Sequence, residues 1–399
     1  MLVRAAKWLA GRVLRMLPET FVGRILPGQY RFDAGAVPAA VEVPTTPIRV
    51  FIAPANYAGQ GWQWARALER SFADVGAKNM VARMSGDFRH PADNVVDVGY
   101  YAASKTWQRA QREAVVSGFT HVIVEAERWP FGGVLDESVT KQVRWLLQRG
   151  LRVAMVCHGS DIRLPSRHVS RYPDSPFLHG LKGIAPTLER TASRNRRVLD
   201  ELGLPVFVTT PDLILDVPYA TWLPSIVDTG LWQSPRVPMT RDVPVVVHAP
   251  SKTTTKGSDA IDPVMHRLED EGLISYRRVS AVPHAQMPDV VRDADIVVEQ
   301  IRMGDYSVAG IESMCAGRVV VGHVSDHTRQ HVRSVTGRDV PVVEARAATL
   351  EQVVRDIVAN PREFQSVARD GASFVQEVHS GPWTARVLEP FLRGSSAVT

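Results

Sequence analysis

Two lysines four residues apart, Lys252 and Lys256, lie in the run Ser251-Lys252-Thr253-Thr254-Thr255-Lys256-Gly257-Ser258. Ammonium groups so spaced, on a loop just past a strand, suit a diphosphate; the alternative is a pair of solvated surface lysines. The run is not a Walker loop, because the required glycines are absent. A second stretch, Asp295 to Gly317, reads as strand, loop and helix. Ile296–Val298 is β-branched and apolar, Gln300–Tyr306 contains Gly304 and Asp305, and Ser307 is placed to N-cap a helix that Gly317 ends. A helix start at the C-terminal edge of an open sheet attracts anions through unpaired N–H groups and the helix dipole. Val308 and Glu312 share one face of that helix, so Glu312 is either a ligand contact or a solvated charge.

The first half of the chain carries its own candidates. His158-Gly159-Ser160-Asp161 follows an apolar strand, where a histidine could transfer a proton or simply hold a loop. Gly59 and Gly61 could bring backbone amides to an anion, but the third glycine of a dinucleotide fingerprint is replaced by Trp64. Glu125 and Glu127 end a strand and could meet acceptor hydroxyls or serve structure. Trp62, Trp129 and Phe131 could stack on sugar faces or fill the core. Asp293-Ala294-Asp295 looks like an Asp-x-Asp metal motif, yet it precedes its strand and so falls at the edge away from ligands. No metal is implied.

These side chains need a scaffold. Strands are expected at 48–53, 79–84, 95–98, 121–125 and 152–157, with helices at about 63–75, 105–117 and 136–149. A longer irregular stretch, 164–183, a helix at about 186–202 and short strands near Val206 and Ala220 follow. Pro235, Pro238 and Pro244 mark a hinge over 235–244. A second alternation then begins, with strands at 245–249, 273–279, 296–298, 318–324 and 340–344. Its helices are expected at 262–271, 287–293, 307–316, 350–358, 362–375 and 385–392. Strand–helix alternation on both sides of the hinge predicts an α/β protein of two Rossmann-like, doubly wound domains facing across a cleft. The expected division is 1–47 for a basic N-terminal helix and linker, 48–234 and 235–380 for the domains, and 381–399 for a final helix.

The combined pattern resembles retaining glycosyltransferases of the GT-B fold, in the large family-4-like group, from about Ile48 to the C-terminus. The residues that carry it are His158–Asp161, Thr221-Trp222-Leu223-Pro224 with Val227-Asp228, Ser251–Gly257, and Gly310-Ile311-Glu312-Ser313-Met314-Cys315-Ala316-Gly317. The resemblance implies that Lys252 and Lys256 hold a donor pyrophosphate, Glu312 the ribose hydroxyls, and His158 the neighbourhood of the transferred sugar. It implies that Gly304, Asp305, Tyr306, Ser307 and Val308 meet the donor through the loop and helix start. Gly59, Gly61, Glu125 and Asp161 form the expected acceptor side, and the last helix crosses back to the first domain. Four positions depart from the pattern: Gly304 stands where a second glutamate is usual, Lys252 where an arginine is usual, and Gln300-Ile301 where Pro-Ser is usual.

The expected activity is hexosyl transfer from a nucleotide-diphosphate sugar to a hydroxyl acceptor, with no cofactor and no metal. A nucleotide-sugar epimerase on the same fold and a non-catalytic, membrane-associated binding protein are the competing readings. The chain has 399 residues and a net charge of +5, spread out rather than blocked, which suits anionic substrates and argues against nucleic acid. Residues 1–17 form a candidate amphipathic helix, with Arg4, Lys7, Arg12 and Arg15 opposite Leu2, Ala6, Leu9, Val13 and Leu17. Such a helix can rest on an anionic leaflet or pack on the protein, and it makes a lipid-linked, cell-envelope acceptor attractive beside a soluble one. Two cysteines without metal spacing, no spanning apolar run and no signal-peptide pattern give the expectation of a cytoplasmic protein, at most peripheral on the membrane.

Overall fold

The computed structural model describes residues 17–133, 138–250, 253–280 and 282–394. The expected helix over 1–17 therefore lies outside the described residues apart from Leu17, and so do Ser251 and Lys252. Among the described residues twelve strands form two sheets. β1 (Ile48–Ala53), β2 (Val75–Arg83), β3 (Asn94–Asp97), β4 (His121–Glu125), β5 (Arg152–Cys157), β6 (Val206–Val208) and β7 (Thr221–Trp222) make a seven-stranded sheet of order β3-β2-β1-β4-β5-β6-β7. β8 (Val245–His248), β9 (Ser275–Arg278), β10 (Ile296–Gln300), β11 (Val319–Gly322) and β12 (Val343–Glu344) make a five-stranded sheet of order β12-β11-β10-β8-β9. The pairings are parallel, as strand–helix alternation demands. The chain folds into two compact units, Met1–Val156 with Glu201–Pro205, and Cys157–Asp200 with Val206–Thr399.

The five-stranded sheet shows why its strands are so uniformly apolar. Val245 and Val247 of β8, Val297 of β10 and Val320 of β11 face one core, with Ile311 and Met314 of the Val308–Cys315 helix and Phe374 of the Pro361–Val378 helix. The alternate residues, Val246, Ile296, Val298, Val319 and Val321, face the other, with Ile261, Met265 and Leu268 of the Ser258–Asp270 helix. Both faces are covered, so no position in these strands is left for a solvated side chain. Each such valine or isoleucine contributes on the order of 1.5–3 kcal/mol by leaving water.

At the N-terminal edge of this sheet the Asp-x-Asp pair is consumed by arginines. Asp295 accepts from Arg236 at 2.9 Å, from Arg241 at 3.1 Å, and from the Val245 and Met239 amides. Asp293 pairs with Arg241 and Arg277, each at 2.5 Å. The proline-rich segment 235–244 is thereby fastened to the sheet. Arg318, buried at 1% exposure, donates to the carbonyls of Ala316, Ala294, Arg292 and Arg236. Burial first, with the charges of Arg236 and Arg241 adding and Asp295 only partly opposing, lowers its pKa to about 10. Arg318→Met should therefore strand these carbonyls and cost about 3–5 kcal/mol. Urea unfolding would show it, and a midpoint unchanged from wild type would refute it.

Two segments expected to be irregular are ordered. Residues 18–47, read as a linker, contain a helix over Glu19–Ile25. The Glu19 carboxylate accepts from the Thr106 amide at 2.8 Å and the Ser104 hydroxyl at 3.0 Å, tying the segment to the start of the Lys105–Gly118 helix. Residues 164–183 contain a helix over Pro165–Arg171, with proline at its first position. The last helix, Pro382–Arg393, places Thr384 on the Pro224 carbonyl at 2.9 Å and Phe391 against Phe207 of β6. No helix among the described residues is long and apolar enough to cross a membrane.

Candidate functional site

Lys256 ends a single helical turn, Thr253–Lys256, and Gly257 at φ +81° turns the chain into the Ser258–Asp270 helix. An added Cβ at Gly257 would lie 2.8 Å from the Ile301 side chain, so the turn and the loop after β10 interlock. The Ile301 amide donates to the Lys256 carbonyl at 3.3 Å, and Arg302 pairs with Asp259 at 2.8 Å. The Lys256 ammonium consequently reaches the mouth of the Val308–Cys315 helix. It contacts the Glu299 carboxylate and donates to the Ser307 hydroxyl at 2.8 Å. Ser307 is the N-cap residue, yet its hydroxyl makes no capping bond and donates instead to Glu299 Oε1 at 2.6 Å. The first-turn amides of that helix are thus not capped by Ser307.

Glu299 is the residue that sequence reasoning missed. The available signal was a lone acidic residue directly after the apolar run Ile296–Val298. The β10–β11 register shifts between Val298 and Gln300, an irregularity that re-aims the side chain between them. Gly310 makes room for it: a Cβ there would lie 3.3 Å from Glu299 Cγ.

The loop 301–307 is tightly held. Gly304, at φ +73°, packs under Tyr172, and its carbonyl accepts from the Ser325 amide at 2.9 Å and Thr328 Oγ1 at 3.2 Å. Asp305 is buried, and its Oδ1 accepts from the Tyr306 amide at 2.7 Å. Burial first, and then the adjacent Asp212, raise the Asp305 pKa well above the usual carboxylate range. Burial also works against the Asp212 anion, but Arg163, 2.6 Å away, outweighs it and holds Asp212 ionised. The Tyr306 hydroxyl meets His379 at 3.3 Å. The side chains of Asp305 and Tyr306 are therefore committed to the fold, and what the loop can offer a ligand is backbone.

Val308 and Glu312 are both partly buried on that helix. Cys157 and Cys315 are both buried free thiols; burial first, with Asp228 and Glu312 adding, pushes the Cys315 thiol up to about 12. His158 is partly buried, and its amide donates to Asp161 at 2.8 Å. The Asp161 carboxylate also accepts from the Gly159 amide at 2.5 Å, so it shapes the loop after β5. His168, on the Pro165–Arg171 helix, lies between Ser175 at 2.8 Å and the Met303 carbonyl at 3.1 Å. Within the other unit Glu125 is fully buried and accepts from the Ala55 and Asn56 amides at 2.9 and 3.0 Å, which is the structural of its two expected roles. Gly59, at φ +73°, precedes the Gln60–Ser71 helix, and Gly61 lies among Asn56, Asn79 and Glu125. Of the expected donor residues, the structure brings Lys256 and Ser307 into contact, at the start of the helix that Val308 begins, with Glu299 added.

No family model matches the sequence, and no curated protein matches it. Solved structures do match in fold. Sucrose-phosphate synthase from Thermosynechococcus elongatus superposes with a TM-score of 0.53 at 12% identity, over 88% of this chain and 99% of its own. The fold is GT-B. HepE of Anabaena, solved with UDP and glucose, gives 0.52 at 10% identity, over 86% of this chain and 98% of its own. A Listeria monocytogenes protein provisionally assigned as a UDP-N-acetylglucosamine 2-epimerase gives 0.50 at 10% identity, over 89% and 98%. At these identities the likeness establishes the GT-B fold alone.

Proposed function

We propose that this GT-B protein is a glycosyltransferase that moves a hexosyl group from a nucleotide-diphosphate sugar to a hydroxyl acceptor. The single observation that carries the reading is the convergence of the Lys256 ammonium and the start of the Val308–Cys315 helix on one place. As the bond between the anomeric carbon and the diphosphate breaks, negative charge grows on the departing phosphate oxygen. A fixed ammonium and helix amides stabilise that charge without reorganising. Lys252 joins Lys256 in this reading, Glu312 takes the ribose hydroxyls, His158 lies by the transferred sugar, and Asp161 belongs to the acceptor side by shaping the loop that carries His158. Residues 48–234 supply the acceptor side and 235–380 the donor side. We propose a metal-independent reaction, since the Asp-x-Asp carboxylates are already neutralised by arginines at the opposite edge of the sheet. Retention of configuration rests on the resemblance, and HepE with UDP and glucose supports a uridine donor by analogy.

The test is a thermal-shift screen of UDP-, GDP-, ADP- and dTDP-sugars, followed by donor hydrolysis without acceptor. One nucleotide class should raise Tm and be hydrolysed slowly; silence across all four would remove the enzyme reading. The epimerase reading, favoured by the Listeria likeness, shares the donor site but forms no glycoside. An epimerised nucleotide sugar as the sole product would put it first. A lipid-linked acceptor in cell-envelope synthesis fits a basic residue 1–17 segment on the inner leaflet. Flotation with anionic liposomes should be lost on deleting 1–17, and flotation that survives would remove the membrane contact.

A further inference from the structure

The donor cation of the proposed site is not a free lysine. Lys256 contacts Glu299, whose side chain is 3% exposed against 12% for Lys256, so the carboxylate lies behind the ammonium, deeper in the protein. Ser307 closes the triangle by donating to Glu299 while accepting from Lys256. Two features aim Glu299 there. The register irregularity turns it at the end of β10, and Gly310 leaves its stem room against the first turn of the Val308–Cys315 helix. A carboxylate buried directly after the apolar run Ile296–Val298 is costly unless paired, so a position that merely had to pack would take an apolar residue as Val298 does.

We infer that Glu299 is a positioning residue, which fixes the Lys256 ammonium and the Ser307 hydroxyl beside the helix start so that the cation is preset before the diphosphate arrives. The inference rests on the donor-site reading above. It assigns Glu299 no contact with substrate; Glu299 acts through Lys256. Two consequences separate this role from packing. First, losing Glu299 misplaces the ammonium in the transition state more than it weakens ground-state binding. Second, once Lys256 is gone, Glu299 has no cation left to position and becomes an anion without its counter-charge beside the diphosphate.

The experiment is a double-mutant cycle of Lys256→Ala and Glu299→Gln. Turnover is read with the donor found in the screen, UDP binding by calorimetry and folding by Tm. Glu299→Gln should lower kcat about tenfold or more while KM for the donor stays within about threefold, as expected for misplacement of a catalytic group. In the Lys256→Ala background the same change should cost no further turnover, and UDP binding should recover by about threefold or more as the stranded anion is removed. Should Lys256→Ala unfold, Lys256→Gln replaces it in both backgrounds. Glu299→Asp, which keeps the charge, should restore part of kcat. Losses that multiply in the double variant, or a fall in kcat matched by a fall in Tm and a rise in KM, would overturn the positioning role while leaving the donor site intact. A wild type that binds no nucleoside diphosphate at all would overturn both.

Discussion

Lys256→Ala should lose turnover by about 2–4 kcal/mol of transition-state stabilisation, or roughly 30- to 1000-fold. The expectation follows from the ammonium at the helix mouth, 2.8 Å from Ser307, where departing diphosphate charge would collect. A second loss should accompany it. The variant leaves Glu299 buried and unpaired, and breaking one side of such a pair costs about 3–5 kcal/mol of stability. Tm should therefore drop with kcat, so the rate must be measured on protein shown to be folded. Lys256→Arg keeps the charge and should retain more of both. Near-normal turnover in folded Lys256→Ala would move the chemistry away from this helix.

Acid should unfold the protein from a higher pH than its carboxylates alone would explain. His168, His248 and His379 are buried, and burial lowers each pKa to about 4. Each is neutral in the fold: His248 bonds the Val298 carbonyl at 2.7 Å and Ser258 at 2.8 Å, and His379 bonds the Ser225 carbonyl at 2.7 Å. The unfolded chain takes up these protons near pH 6.5, and the folded chain only near pH 4. Their stabilisation is thus fully present above pH 6.5 and is lost as pH falls towards 4, at up to about 3 kcal/mol for each histidine. Asp305 and Asp216, whose folded pKa values are raised, run in the opposite sense and offset part of the slope. The sum is comparable with the whole stability of an ordinary domain, about 5–15 kcal/mol. Urea unfolding between pH 7.5 and 4.5 would measure it. His379→Gln should flatten the slope by about 1.4 kcal/mol per pH unit. A stability that stays level from pH 7 to 4.5 would show that these histidines are not held neutral.

The architecture was legible because its signals are local. The strands Val245–His248 and Val319–Gly322 each open with three consecutive valines, and such apolar runs read as strands buried on both faces. The Met287–Asp293 helix was placed to the residue, and the Val308–Cys315 helix fell between Ser307 and Gly317, the latter at φ +66°. Where prolines and glycines interrupt the pattern, as in 18–47 and 164–183, short helices went unread. Their order comes from distant contacts such as Glu19 with Thr106.

The sequence by itself determined the alternation of strands and helices and with it the two-sheet plan, and it marked a lysine-bearing loop and a helix start as candidates for an anion site. Each of these signals is read from residues within a few positions of one another. Only the tertiary structure decided what each polar side chain does. Glu299 meets a lysine 43 residues away, Glu125 is taken up by amides about 70 residues away, and burial, with Asp212 beside it, raises the pKa of Asp305. A carboxylate's role is set by the charge and hydrogen-bond donors within a few ångströms, and packing brings those together from parts of the chain that no local pattern connects.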